Sequence, residues 1–442
     1  MDIISQVARG MQKIMTETAD KLARETEFVQ RESKLTGSKF VQTLVFTWMS
    51  NPQASLEELS QTASSIEVKI SSQGIEQRFT PEAGDFLQQV LSEAVMGMIS
   101  NEGVNISIFN RFTGIYIEDS TTIRLPDALK DIWEGCGGSS DKGTSSSVKL
   151  QVRLNIKNGN LYGPILYDGR ENDKGTSLGI EFLSKGSLRI FDLGYFSLRV
   201  LNDMVLKDLY WLCRLQAQTK VFDTLGKEWD VVDLLSKQKT NQVDLPIKIG
   251  ADYRIPCRLL AVRVPEKISS KRRQDLHKEA RRKGQAVSQK RLKMADWTIY
   301  ITNAPLELMN LNEAMVLYRV RWQIELLFKL WKSHGSIDEW RSSKPYRILC
   351  ELYGKLLVMI IQHWICLTSC WKNLNRSLRK AAKTIQKYAL YLAVSCCSII
   401  RLIKALKDVQ RCLNSGCKIN KRKEKPATFQ LLLALEKEGG LA

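Results

Sequence analysis

The chain has 442 residues, 44% hydrophobic and 26% charged, which is room for two or three domains and the balance of a soluble globular protein. Lysine and arginine number 66 against 47 aspartates and glutamates, and the net charge of +19 points to a polyanion, nucleic acid first and an anionic membrane surface second. The opening MDIISQVARGMQKIMTETAD has an early acid and no apolar core, so it is not read as a secretory signal.

Residues 1–105 read as a helical, largely polar domain. The run from Ser55 to Leu91 predicts two or three short helices. Ser72 to Phe79 is either the second helix of a helix-turn-helix, offering Gln73, Gln77 and Arg78 to a DNA groove, or part of a helical docking domain with no sequence preference.

Strand texture begins near residue 112. FTGIYIEDSTTIRLP (112–126) is an apolar run that reaches Asp119. VKLQVRLNI (148–156) and LYGPILYDG (161–169) alternate about Lys157–Asn160, a hairpin signal. A short helix is expected from about Gly175 to Lys185, then SLRIFDLGYFS (187–197), a strand ending at Asp192. A helix (198–207) and LYWLCRL (209–215) follow, and this order describes a mixed α/β sheet.

Residues 216–296 interrupt that pattern with VDLPIKIG (243–250) and RIPCRLLAVRV (254–264), read as a β hairpin or small sheet. Next comes a basic stretch, 267–293, with eleven lysines and arginines against two acids. It is expected to be a mobile arm that contacts phosphates through Lys271, Arg272, Arg273, Arg281, Arg282 and Lys283, the alternative being a solvated charged face. WTIYITNAP (297–305) restores the strand texture.

YRVRWQIELLFKLWK (318–332) reads as a helix that buries Val320, Ile324, Leu327 and Trp331. Offsets of three, seven and fourteen residues place Tyr318, Arg321, Glu325 and Lys332 within roughly 60° of one another on a second stripe. Spacing alone leaves open a solvated edge with an Arg321–Glu325 pair. LLVMIIQHWICLTSCW (356–371) is too short for a membrane span and is broken by Gln362 and His363, so it is expected to be a buried helix. His363, Cys366 and Cys370 share a helix face but lack a fourth zinc ligand nearby. The ten cysteines include no Cys-x-x-Cys pair, and Cys213, Cys257 and Cys350 sit in apolar surroundings, as reduced thiols of a cytoplasm do. The 375–442 segment is helical and basic, with INKRKEKP (419–426) as an exposed loop.

Asp119 and Asp192 end apolar strands, and Glu325 adds a third carboxylate from a helix. A few carboxylates plus substrate phosphate oxygens are what Mg²⁺ or Mn²⁺ requires, and a pair of such ions serves phosphodiester cleavage. Arg321 and Lys332 suit phosphate contacts, and Tyr318 can donate a hydrogen bond to a phosphate.

The spacing Tyr-x2-Arg-x3-Glu-x6-Lys, with EDSTTIRLP and FDLGYFS upstream, resembles bacterial transposases of the insertion-sequence-four family. The resemblance covers roughly residues 25–375. It implies an RNase H-like catalytic core (106–215 and 297–374), a mostly β insertion domain (216–296), and helical N-terminal (1–105) and C-terminal (375–442) regions, the last a dimerisation candidate. It further implies a D-D-E triad of Asp119, Asp192 and Glu325 that binds two Mg²⁺ ions, with Mn²⁺ an alternative. The activity implied is cut-and-paste transposition by a homodimer on double-stranded DNA, joining terminal inverted repeats to target DNA in a bacterial cytoplasm, without a membrane. Trp297 stands where a flipped base would be held, although a core tryptophan fits equally, and Arg214 is a phosphate-contact candidate. A nuclease without strand transfer and a catalytically silent DNA-binding regulator remain as alternatives.

Overall fold

The computed structural model describes residues 2–31, 34–97, 99, 101–136, 145–176, 178–369, 371, 376–419 and 426–439. Its strands are β1 (Ile115–Leu125), β2 (Ser146–Asn155), β3 (Leu161–Asp168), β4 (Leu188–Ile190), β5 (Tyr210–Arg214), β6 (Val221–Phe222), β7 (Glu228–Trp229), β8 (Gln242–Ile249), β9 (Ile255–Arg263) and β10 (Trp297–Thr302). The chain forms two compact units. The first comprises Met1–Asn105, Asp119–Asn172 and Trp322–Gln430. The second comprises Ile106–Glu118, Asp173–Arg321 and Leu431–Ala442, so β1 passes from the second unit into the first between Glu118 and Asp119.

The first unit is built on the Pro345–Leu367 helix, which packs against the helices Ile3–Lys13, Gly37–Ser50 and Pro81–Met96. Among the described residues it is the one helix long and apolar enough to cross a membrane, and its apolar window lies wholly buried. Local chemistry sets the surrounding helix starts. Ser55 and Glu58 form a capping box ahead of Leu56–Ser65, and Thr80 caps a helix with Pro81 in its first turn. The β2–β3 hairpin pairs Val148 with Asp168 and Leu154 with Leu161. Its turn needs Gly159, at φ +82°, because only glycine enters that region without strain.

In the second unit, β1, β4 and β5 run parallel, with Ile115, Tyr116 and Ile117 opposite Leu188, Arg189 and Ile190. β10 pairs antiparallel with both β5 and β9, so the expected β8–β9 hairpin extends the same sheet. The central strand β4 is buried throughout, as a parallel strand covered on both faces is.

Three local expectations are corrected. No helix forms among the described residues of 175–185, which make turns, and the N–H of Leu178 donates to the Glu118 carboxylate rather than to a helical carbonyl. The stretch read as a mobile arm instead contains the helix Glu266–Arg282, since lysine, arginine, glutamate and alanine all favour helix. Glu266 accepts from the hydroxyls of Ser269 and Ser270 in its first turn. The 318–332 segment is not one α-helix: Leu311–Leu317 is α, Tyr318–Arg321 tightens to 3₁₀, and Trp322–Gly335 is α again. The 419–426 loop falls largely outside the described residues, as does Cys370.

The buried ring of His363 is engaged, with Nε2 2.7 Å from the Gly159 carbonyl and the ring edge-on to Trp371. Burial, outweighing that hydrogen bond, holds its pKa down at about 4. The unfolded chain, with histidine near 6.5, takes up this proton first. The contribution to stability is therefore full above pH 6.5 and is lost as pH falls towards 4. Urea unfolding at pH 7 and pH 5 should show this loss in the wild type and a smaller one in His363→Gln.

Candidate active site

The helix Trp322–Gly335 is anchored by Ile324, Leu327 and Trp331, each 3% exposed or less, as the apolar stripe predicts. This anchorage leaves Glu325 and Lys332 half-buried on the wall of a cleft of about 680 Å³ in the first unit. Asp119, Ser120 and Thr121 of β1 line the same cleft, so the structure brings Asp119 and Glu325 to one site. Lys332 Nζ donates to the Thr122 carbonyl at 3.2 Å, tying the helix to the strand just beyond Asp119. Lys329, Asp338 and Glu339 also line the cleft and were not singled out from the sequence. Lys329 was detectable, being four residues after Glu325 on a helix. Asp338 and Glu339 follow the helix end and carried no such signal.

Asp192 belongs to the second unit, at the end of β4, with extended backbone and Oδ1 accepting from the Gly194 N–H at 2.9 Å. A Cβ at Gly194 would lie 2.9 Å from Asp173 Oδ2 and 3.1 Å from Asp192 Oδ1, so glycine leaves room for two carboxylates there. Asp173 carried no motif in the sequence. On β1 and β4 alike, the last paired residue, Ile117 or Ile190, is followed two positions later by an aspartate.

Tyr318 is 6% exposed. Its ring stacks on Tyr300 at 4.2 Å and its hydroxyl donates to the Phe191 carbonyl at 3.4 Å. Burial pushes its pKa up, against the pull of Arg214 and Arg321, so the hydroxyl keeps its proton. Arg214 is exposed, with its guanidinium 5.8 Å from the Tyr318 ring centre. A second cavity, of about 430 Å³, is lined by Arg214, Arg272, Arg291 and Trp297. Arg272 donates to the Trp297 carbonyl and to Thr298 Oγ1, both at 3.0 Å, which holds the Glu266–Arg282 helix against β10. Burial, then repulsion from Arg214, lowers the Arg272 pKa. The Trp297 indole is half-buried under Arg263.

The remaining basic residues divide. Arg273 pairs with Asp296 and Glu266, and Lys283 with Glu279, whereas Lys271, Arg281 and Arg282 are exposed. In the first unit Gln73 and Gln77 are exposed and Arg78 is half-buried, but the helix there spans only Ser72–Glu76.

Carboxylates and hydroxyls are a hard, all-oxygen donor set, which fits a divalent cation that completes its shell with water and phosphate oxygens. Among the described residues no three His, Cys, Asp or Glu side chains gather into a ready-made metal cluster. Asp119 and Glu325 line one cleft, where two carboxylates could reach such an ion.

Residues 110–361, more than half of the chain, match the family described as Transposase DDE domain. The chain belongs to the DDE transposase family. The transposase is 29% identical over 400 residues to the transposase for insertion sequence element IS231F of Bacillus thuringiensis subsp. israelensis, covering 85% of this chain and 82% of that protein. It is 25% identical to the transposase for IS1151 of Clostridium perfringens over 79% of this chain and 78% of that one. A segment of 114 residues, 26% of the chain, is 32% identical to 30% of the putative transposase InsL for IS186A of Escherichia coli K12. These relatives place the transposase in the insertion-sequence-four-like group, and its mixed α/β architecture is that of an RNase H-like core. A DDE transposase is an enzyme that acts on DNA and uses divalent metal.

Replacing Tyr318 with Phe removes the bond to the Phe191 carbonyl and keeps the ring stack. Chemical denaturation should show a loss of about 1 kcal/mol.

Proposed function

We propose that the transposase moves an insertion sequence by cut-and-paste, with Asp119, Asp192 and Glu325 holding two Mg²⁺ ions, for which Mn²⁺ can substitute. The observation that carries this reading is the cleft shared by Asp119, Glu325 and Lys332, joined to the matching positions of Asp119 and Asp192, each two residues past the last β1–β4 pair. When bound, the ions supply Lewis-acid activation of the attacking oxygen and neutralisation of the leaving one.

The chain's own residues bind and orient DNA. Lys332 provides a point charge and Arg321 a bidentate fork for the phosphates of the strand being cut. Tyr318, with its hydroxyl engaged by Phe191, supports Arg214 from below and leaves the phosphate contact to the guanidinium. In the first step the oxygen of water bonds to phosphorus at the element's end, and the 3′ oxygen leaves with a proton as a 3′-OH. That 3′-OH next attacks a phosphodiester of target DNA, releasing a target 3′-OH. Trp297 stacks a flipped base beside Arg214 and Arg272. Lys271, Arg281 and Arg282, with support from the helix that Arg272 and Arg273 hold in place, track the DNA backbone alongside Lys283. Gln73, Gln77 and Arg78 contact the terminal inverted repeats. The working form is a homodimer on paired ends, in the bacterial cytoplasm at the nucleoid.

The test is cleavage of labelled double-stranded DNA carrying the flanking inverted repeats, with and without Mg²⁺. Glu325→Gln should abolish nicking while leaving DNA binding intact; binding with no metal-dependent cut by the wild type would contradict the reading. Binding should also weaken steeply with salt: for six phosphate contacts, about 10³-fold between 50 and 200 mM.

A further inference from the structure

We propose that the buried ion pair between Glu118 and Arg189 is a positioning device for the metal site, fixing β1 against β4 where each strand is about to reach its aspartate. The inference rests on the reading of Asp119 and Asp192 as metal ligands. Both side chains are at most 1% exposed, with Arg189 Nη2 2.9 Å from Glu118 Oε2. The second carboxylate oxygen, Oε1, accepts the Leu178 N–H at 2.7 Å. One carboxylate therefore joins three segments of the second unit: β1 beside Asp119, β4 before Asp192, and the turn that follows Asp173. The Arg189 guanidinium is held further by the Phe191 ring, 4.9 Å from its centre and one residue before Asp192.

Stability alone does not account for such a pair. Taking two charges out of water costs about as much as their attraction returns, and well-packed apolar residues of similar size often serve a core better. What a charge-assisted hydrogen bond adds is direction. Neighbouring strand residues face opposite ways, so Glu118 points into the interior while Asp119 emerges on the other side. The pair acts on the aspartates through the backbone and touches no substrate. Arg189 and Glu118 are positioning residues, in the way outer-sphere partners orient the ligands of a metal.

The test is Mn²⁺ binding to the full chain by calorimetry, alongside thermal unfolding without metal. In Glu118→Gln/Arg189→Met both charges are removed, the Leu178 contact is kept, and no lone buried charge remains. Its unfolding temperature should be close to wild type while Mn²⁺ affinity falls about 10-fold or more. An unchanged Mn²⁺ affinity overturns the inference, as does a loss of affinity that only tracks a loss of folded protein. If the double variant does not fold, Arg189→Lys keeps the charge but not the planar guanidinium; it should weaken Mn²⁺ binding by a smaller factor, and unchanged affinity again overturns the inference. Asp119→Asn separates the two levels. If it binds Mn²⁺ as the wild type does, the ligand assignment fails and the positioning role falls with it.

Discussion

Parallel pairing of β1 with β4 is the constraint on which the site depends. The paired segments are short, three residues each, and each runs within two residues into a carboxylate that water would solvate better than protein. Hydrophobic side chains at Ile115, Ile117, Leu188 and Ile190 hold the pair in the core, but burial has no direction and tolerates a shift in register. The Glu118–Arg189 contact supplies the direction. It places an ion pair where apolar packing would suffice for stability, and it does so next to the aspartates proposed as metal ligands.

The same division of labour recurs around the other acidic residue. The helix bearing Glu325 is seated by Ile324, Leu327 and Trp331, and Lys332 pins it to the Thr122 carbonyl. A few of the basic residues also serve the architecture. Arg272 and Arg273 fasten a helix to β10 and to the residue before it, and Arg347, Glu351 and Lys355 form a buried row on the long central helix. Among the described residues most lysines and arginines stay exposed, Lys271, Arg281, Arg282 and Arg214 among them, and these are available to a polyanion.

Much of this was legible in the sequence. Alternation marked the β2–β3 hairpin, strand texture marked β8, β9 and β10, and the apolar runs reaching Asp119 and Asp192 marked β4 and the start of β1, which does not end at Asp119 as expected but continues to Leu125. The stripe from Val320 to Trp331 identified a buried helix face. The misreadings share a cause. A 3₁₀ turn at Tyr318–Arg321 has nearly the pattern of an α-helix, so residue spacing could not reveal that Tyr318 turns inward to Tyr300 and Phe191. The segment 175–185 has no local feature that shows its fixing contact, because Leu178 is held by a carboxylate distant in sequence. The basic arm was judged by charge, although its lysines, arginines and alanine are good helix formers. The Glu118–Arg189 pair has no local signature, because its partners meet only when the sheet forms.

The most direct measurement is metal-directed backbone cleavage, with Fe²⁺ in place of Mg²⁺ and peroxide to generate hydroxyl radicals at the bound ion. Cuts confined to the neighbourhoods of Asp119, Asp192 and Glu325 are the predicted result. Cleavage that leaves any one of these three positions untouched, or that centres on a different set of acids, would contradict the three-carboxylate site.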